Sequence, residues 1–409
     1  MTIQAITSEE MTARRAAVMT ALDGSVAVVF ASDPSAAHAG GFRPHPHFEY
    51  LTGIVDEPGA LLVLDPGSLD PRRRVMLFLQ PRNPEAEHWD GYRDPINAAM
   101  RTATGIDAIY RLGSFPTFLN QAVRRSKSLA CLHPFALHTQ PPSPDLALFN
   151  EVCQRICGTQ IVDRAEVLAN LRATKSESEI AIIQQAVDIT ATGYDAVMRS
   201  VKPGMNESDV QTCIEHAYLI NGGQGPAYDS IVGAGINSTV LHYIANNQPI
   251  ADGDLICIDS GTRLGSCNGG YAADITRTIP ANGKFTDRQR EIYEIVLEAE
   301  LAAIAIARAG VTFTELNQAA RGVIEKAGYG DYLVHGIGHH LGLEVHDITP
   351  EGPLKAGAII TIEPGIYLPD EKIGIRIEDD ILITDSGSKN LSEAIPKSID
   401  DIERLMADR

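Results

Sequence analysis

Five segments in the second half of the chain set an acid or an imidazole at the end of, or inside, an apolar run. Leu255-Ile256-Cys257-Ile258 runs into Asp259, Ser260 and Gly261, the pattern of a buried strand meeting a turn. In Tyr271-Ala272-Ala273-Asp274-Ile275-Thr276-Arg277-Thr278 the two-residue period of a strand puts Asp274, Thr276 and Thr278 on one face and Ile275 on the other. His335-Gly336-Ile337-Gly338-His339-His340, followed by His346-Asp347, gathers imidazoles, and the two glycines favour a loop or strand over a helix. Ile359-Ile360-Thr361-Ile362 ends in Glu363 and is stopped by Pro364-Gly365. Ile375-Arg376-Ile377-Glu378 alternates again, with Arg376 and Glu378 on a shared face; such neighbours usually form a surface ion pair worth little.

Singly, each pattern also fits a plain strand end or a solvated face. Together they offer Asp259, Asp274, Glu363, Glu378 and a histidine on separate strands. Carboxylates converging in a core repel one another and cannot all stay ionised without compensating charge. Two divalent cations supply it, and an oxygen-rich set with one nitrogen suits hard-to-borderline metals. A metal pair of this kind activates water and polarises a carbonyl, so amide hydrolysis is the expected chemistry. No H-E-x-x-H stretch occurs, which excludes the zincin arrangement.

The elements that must position these groups follow from periodicity. Ser176 with Glu179 three residues on makes a capping box, and Ile182, Ile183, Ala186 and Ile189 recur at helical spacing behind it. A second helix is expected over 287–308, with Ile292, Ile295, Val296 and Ala299 as its apolar stripe. Helices and antiparallel-looking strands in mixed order predict an α+β domain over 171–409. Upstream, Ser25–Ala31, Gly59–Leu64 and Val75–Leu79 read as buried strands, Ile96–Ala103 as a helix and His138–Asp145 as a loop. That alternation predicts a smaller α/β domain over 1–170 with a largely buried sheet.

Composition bounds the partners. With Lys+Arg 34 against Asp+Glu 53, the formal charge of −19 opposes nucleic-acid binding. No apolar run approaches the ~20 residues of a membrane span. The six cysteines lack zinc spacing, Cys153 and Cys157 standing as C-x3-C on an expected helix, and are read as reduced thiols. These features fit a cytoplasmic protein that binds neither nucleic acid nor membrane.

The five segments, in this order, resemble the metallopeptidases of pita-bread fold, which include aminopeptidase P, prolidase, methionine aminopeptidase and the metal-free creatinase. The resemblance runs from Lys175-Ser176-Glu177 through Arg376-Ile377-Glu378-Asp379. It implies that Asp259 binds one metal, that Asp274 and Glu378 bridge two, and that His339 and Glu363 complete the ligand set of the other metal. Ile231-Val232-Gly233-Ala234-Gly235 with Leu241-His242-Tyr243 implies a substrate-contacting role for His242. By the same likeness His335 and His346 are the other active-site imidazoles and Arg376 orients a carboxylate. The resemblance also implies that Glu363 accepts a proton from the attacking water. Mn(II) is the implied metal, with Zn or Co as alternatives.

The first domain narrows the family. Phe48-Glu49-Tyr50-Leu51-Thr52-Gly53, Glu57-Pro58-Gly59-Ala60, Pro81-Arg82-Asn83-Pro84 and Trp89-Asp90-Gly91 resemble the N-terminal domain of aminopeptidase P and prolidase. The implied activity is release of the N-terminal residue from peptides with proline second, by a homodimer or homotetramer; Trp89 is a candidate to reach a neighbour's active site, with an ordinary interface or core aromatic as the alternative. Prolidase, which cuts only Xaa-Pro dipeptides, is the alternative; a metal-free binding module is the remote one. Two departures stand out. Asp259 and Asp274 are 274 − 259 = 15 apart, wider by four residues than is usual, an even number that keeps the parity of the pleat. The loop after His346-Asp347 is short, as in compact bacterial prolidases.

Overall fold

The computed structural model describes residues 5–32, 42–136, 139–265 and 269–408. Contacts divide the chain into two units, one covering Ala5–Arg172 and the other Ala173–Gly265 with Gly270–Arg409.

In the first unit the strands Ala27–Phe30, Leu61–Leu64, Val75–Leu79 and Ala108–Arg111 lie side by side in chain order. The first three pair antiparallel and the fourth is parallel to its neighbour. A parallel bridge from Val26 to Leu129 extends the arrangement to strand Ser128–Cys131, which pairs in parallel with Gln160–Asp163. The expected apolar strands are buried almost throughout, because side chains from both faces meet packed neighbours. Val28, Phe30, Val63, Phe78, Leu129 and Phe149 belong to one core cluster with Leu119 and Val123 of helix Phe115–Ser126. The helix expected over 96–103 is Ala98–Thr104, capped by Asn97, whose side chain accepts from Met100 N. The Pro-rich segment is not all loop: Pro144 and Asp145 open helix Pro144–Arg155, since proline is compatible with a first helical turn. That helix holds Cys153 but ends before Cys157, so the pair does not share it. His138 lies outside the described residues.

The second unit opens with helix Glu177–Ser200. Its capping box is formed as expected: the Ser176 side chain accepts from Glu179 N, and the Glu179 side chain accepts from Ser176 N. Helix Glu207–Ile220 follows with a second capping box from Asn206 and Asp209. Strand Leu255–Asp259 is the middle of three, with Ile231–Ala234 on one side and Thr276–Pro280 on the other, both antiparallel. Helix Asp287–Ile306 stops two residues short of the expected end and buries Ile292, Val296 and Ala299, with Ile295 half-buried. Strand Ile359–Ile362 pairs with Asp379–Ile383, and Gly365–Leu368 makes a hairpin with Ile373–Arg376. An antiparallel bridge between Thr276 and Glu378 joins the two groups of strands. Among the described residues no helix is long and apolar enough to cross a membrane.

A buried ion network stiffens this junction. Arg277 donates to Asp379 at 2.7 Å, with both side chains fully buried, and Lys397 donates to Asp379 and to Glu300. Burial by itself would raise the Asp379 pKa, but the Arg277 and Lys397 charges and hydrogen bonds carry it below the usual carboxylate range. Asn390 also donates to Asp379, so both carboxylate oxygens are paired.

Candidate active site

Asp259 ends its strand opposite Thr276, and the chain between them returns through Gly261. A Cβ on Gly261 would collide with the Ala273 carbonyl, so only glycine allows the two segments to pass this closely beside Asp259 and Asp274. The hairpin carrying the extra residues stays paired, Leu264 with Tyr271 and Arg263 with Ala272, while 266–268 at its tip lie outside the described residues. Asp274 is buried rather than facing solvent. The Thr276 hydroxyl donates to Glu378 Oε2 at 2.7 Å across the bridge.

The histidine segment runs as extended chain beside strand Ile359–Ile362. Thr361 N donates to His339 O at 2.9 Å, His339 N to Thr361 Oγ1 at 3.1 Å, and Glu363 N to Ile337 O at 2.8 Å. This backbone lacing, not helical i,i+4 spacing, aims His339 Nε2 at Asp274 Oδ2, 3.4 Å away, and at Glu363 Oε1, 3.6 Å away. Asp274, His339 and Glu378 each bring one ligand atom to within 4.8 Å of the others. Asp259 and Glu363 line the same cavity of about 370 Å³, together with Leu241, His242, His335, His346, Asp347 and Arg376.

The carboxylate that Arg376 bonds directly is Asp259. Arg376 Nη2 donates to Asp259 Oδ2 at 2.7 Å, Nε donates to the Thr276 hydroxyl at 3.1 Å, and Nη1 donates to the Tyr367 oxygen at 3.0 Å. It reaches Glu378 only through Thr276. Tyr228, absent from the sequence reading, sits with its hydroxyl 2.6 Å from Asp259 Oδ1 and 2.5 Å from Asp274 Oδ1. Its one proton serves one carboxylate at a time. Burial, with the charges of Asp259 and Asp274 beside it, pushes the phenol well up, so it remains a donor. Nothing local marks Tyr228: it lies in a stretch without period, and only the fold brings it between two acids.

The imidazoles differ in exposure. His335 Nδ1 lies 2.8 Å from the Gly336 carbonyl and therefore carries the proton, leaving Nε2 to accept from the Tyr367 hydroxyl at 2.8 Å. Arg376, Tyr367 and His335 thus form a polarised chain along one wall, and burial lowers the His335 pKa to about 4. The pairing of His335 Nε2 with Tyr367 is one that only the hairpin creates. His242 and His346 are exposed, and the His346 ring lies 4.1 Å from that of His339.

The charge balance tests whether these groups suit a metal. Four carboxylates face Arg376 and one imidazole. Burial, then mutual repulsion, raises the Glu378 pKa well above normal; burial raises that of Glu363 to about 7 against the pull of His339 and Arg376, and raises Asp259 against the pull of Arg376. Burial opposes the charged His339 ring, yet its bond to Asp274 and the Asp274 and Glu363 charges carry it up to about 9. A set of oxygens with one nitrogen, buried and short of positive charge, fits divalent cations.

Known proteins agree with this reading. Residues 181–385 match the model of metallopeptidase family M24, and 11–130 match the aminopeptidase P N-terminal domain. The chain is 35% identical to the Xaa-Pro aminopeptidase of Haemophilus influenzae, with 89% of this chain and 88% of that protein covered. It is 42% identical to the Xaa-Pro dipeptidase of Pyrococcus furiosus over 56% of this chain and 65% of that one. The fold matches aminopeptidase P from Escherichia coli with the inhibitor Pro-Leu, at a TM-score of 0.86, 31% identity and 99% coverage of each chain. The pita-bread α+β architecture with its preceding domain is therefore shared, and divalent metal use comes with the family. The chain belongs to metallopeptidase family M24, with the N-terminal domain of aminopeptidase P ahead of it.

Proposed function

We infer that this protein is a metal-dependent exopeptidase that hydrolyses the N-terminal Xaa-Pro bond of peptides. One observation carries the reading: four buried or half-buried carboxylates and His339 converge on one cavity with too little positive charge of their own. Residues 171–409 are assigned the chemistry and 1–170 an accessory domain. Asp259, Asp274, His339, Glu363 and Glu378 are the residues that would hold two divalent ions, with Mn(II) the favoured metal and Zn or Co the alternatives. When bound, the ions supply Lewis acidity toward the scissile carbonyl and lower the pKa of the attacking water.

The protein's own groups divide the remaining work. Glu363 Oε1, on the cavity wall beside His339, takes the proton of the attacking water and returns it to the proline nitrogen as that nitrogen leaves. Exposed His242 and His346 donate to substrate oxygens from the rim. Arg376 and Tyr228 fix the carboxylates from behind, so their lone pairs are set before substrate arrives. Proline's nitrogen carries no hydrogen, so recognition cannot depend on a backbone N–H at that position. The acidic cavity suits the substrate's free α-amine, favouring cleavage at the end of a chain.

The accompanying assignments are a cytoplasmic location and a homodimer or homotetramer. The five described cysteines are free thiols, which suits a reducing compartment, and Trp89, 85% exposed, is available to another subunit. The 42% identity to the Xaa-Pro dipeptidase of Pyrococcus furiosus over 56% of this chain favours prolidase as the second reading. The test is hydrolysis of Arg-Pro-Pro beside Ala-Pro after metal stripping and Mn(II) readdition. Release of Arg and Pro-Pro establishes the aminopeptidase, and cleavage of Ala-Pro alone establishes the dipeptidase. If neither is cut, a metal-free binding module replaces the enzyme reading.

A further inference from the structure

His242 reaches the cavity from a segment with little regular structure. After strand Ile231–Ala234 the chain makes a 3-10 turn over Gly235–Thr239 and then runs irregularly to 248. Irregular backbone of this length loses entropy when fixed, so something must hold it. Exposure alternates along it: Val240, His242 and Ile244 face outward, while Tyr243 turns inward.

The inward side meets one carboxylate. Glu207, at the first turn of helix Glu207–Ile220, is completely buried. Its Oε1 accepts from Ala234 N at 2.8 Å and from Asn237 Nδ2 at 3.0 Å. Its Oε2 accepts from the Tyr243 hydroxyl and from Gln248 N, both at 2.9 Å. Its own N–H donates to Gln248 O at 3.0 Å. The four donors come from the start, the turn, the middle and the end of the segment, so one side chain closes the whole loop. A buried carboxylate is costly unless its lone pairs are filled, and here the filled lone pairs and the positive end of a helix dipole hold it. An amide in its place would turn an NH₂ toward two donors.

We propose that Glu207 is a positioning residue that sets His242 toward the substrate by clamping the loop 234–248. Tyr243 is the link: its hydroxyl is bound to Glu207 on the inward side, while the two residues just before it, Leu241 and His242, line the cavity. The inference rests on the proposed peptidase reading, in which His242 contacts substrate.

The test is a double-mutant cycle on Arg-Pro-Pro hydrolysis with the Mn(II)-loaded enzyme, using E207Q, H242A and E207Q/H242A. E207Q should lower kcat/KM by about 10- to 100-fold, because small misplacements of a contacting group are expensive. In the H242A background the same substitution should cost less than about threefold, since groups acting as one unit are not additive. Bound metal per chain should be unchanged in E207Q. An E207Q enzyme as active as wild type, or an equal loss in both backgrounds, overturns the proposal. Should E207Q fail to fold, Y243F in the same cycle decides, because it removes one donor and leaves the bonds to Ala234 and Gln248. Hydrogen exchange over 234–248 separates this inference from the peptidase reading. If the wild-type protein cuts neither peptide, that reading fails, while faster exchange in E207Q still supports the clamp and unchanged exchange rejects it.

Discussion

Glu378 and Asp379 are consecutive, both buried, and opposite in electrostatic fate. Glu378 points to the side where Asp259, Asp274 and Glu363 gather, and burial followed by their repulsion pushes its pKa well up. Asp379, one residue on, points the other way into Arg277, Lys397 and Asn390, and is held below the usual range. The pleat of an extended chain makes this possible, since neighbours face opposite sides. One side is satisfied by the protein itself and functions as structure. The other is left short of positive charge and therefore has affinity for cations. A buried carboxylate is thus read as structural or functional from what answers it, not from its burial.

The largest effect expected on this contrast is at the deficient side. Glu378→Ala should lower kcat/KM by on the order of 1000-fold or more, with bound metal falling in step. Chelation should do the same to the wild type and Mn(II) should reverse it; retention of activity by a metal-free sample would end the metallopeptidase reading. Stability should then move in opposite directions at the two neighbours. Asp379→Asn strands Arg277 and should cost about 3–5 kcal/mol in urea unfolding. Glu378→Gln, a neutral replacement for a carboxyl that its surroundings push toward the neutral form, should leave the metal-free protein as stable or more so. A loss at both positions would mean that the two sides do not differ as argued.

The first unit offers a further case of buried groups kept neutral. His133 is buried behind strand Ala27–Phe30, its Nε2 accepting from Phe30 N at 3.2 Å, and burial lowers its pKa to about 4. The unfolded chain takes up this proton near the ordinary pKa of about 6.5. Between these values the unfolded state binds more protons, so stability rises with pH there. The contribution, at most about 3 kcal/mol, is complete above about pH 6.5 and is lost as pH falls toward 4. Urea midpoints of the metal-free protein at pH 7.5 and 5 should show the loss, and His133→Gln should flatten it; an unchanged slope in the variant would assign the effect elsewhere. The smallest expected change is at Tyr228. Tyr228→Phe should cut kcat/KM by about 10- to 100-fold through misaligned Asp259 and Asp274, with little change in melting temperature. Full activity would show that the metals alone order those acids.

Much of the frame was legible in the chain. The apolar runs that end in Asp259 and Glu363 are strands, because hydrophobic periodicity and the Pro364-Gly365 stop act locally. Ser176 and Glu179 cap a helix for the same reason. Parity along 274–278 put Thr276 beside Asp274 in the sequence, but not its bond to Glu378, which crosses between strands about a hundred residues apart in sequence. Which carboxylate Arg376 orients was not legible, because the hairpin Gly365–Leu368/Ile373–Arg376 is what turns the guanidinium to Asp259 and Tyr367.

What the sequence determined by itself is therefore the kind and order of the groups: carboxylates and imidazoles at strand ends, the caps that start the helices, and the acidic balance. These depend on interactions within a few residues, which any short window contains. The tertiary structure alone decided which charge is answered and which is not. It set Tyr228 between two acids, matched Glu207 to the His242 loop, and gave Asp379 its cations while leaving Glu378 without them. Those outcomes depend on Coulomb interaction and desolvation among groups distant in the chain, and both are set by distance and burial that exist only after folding.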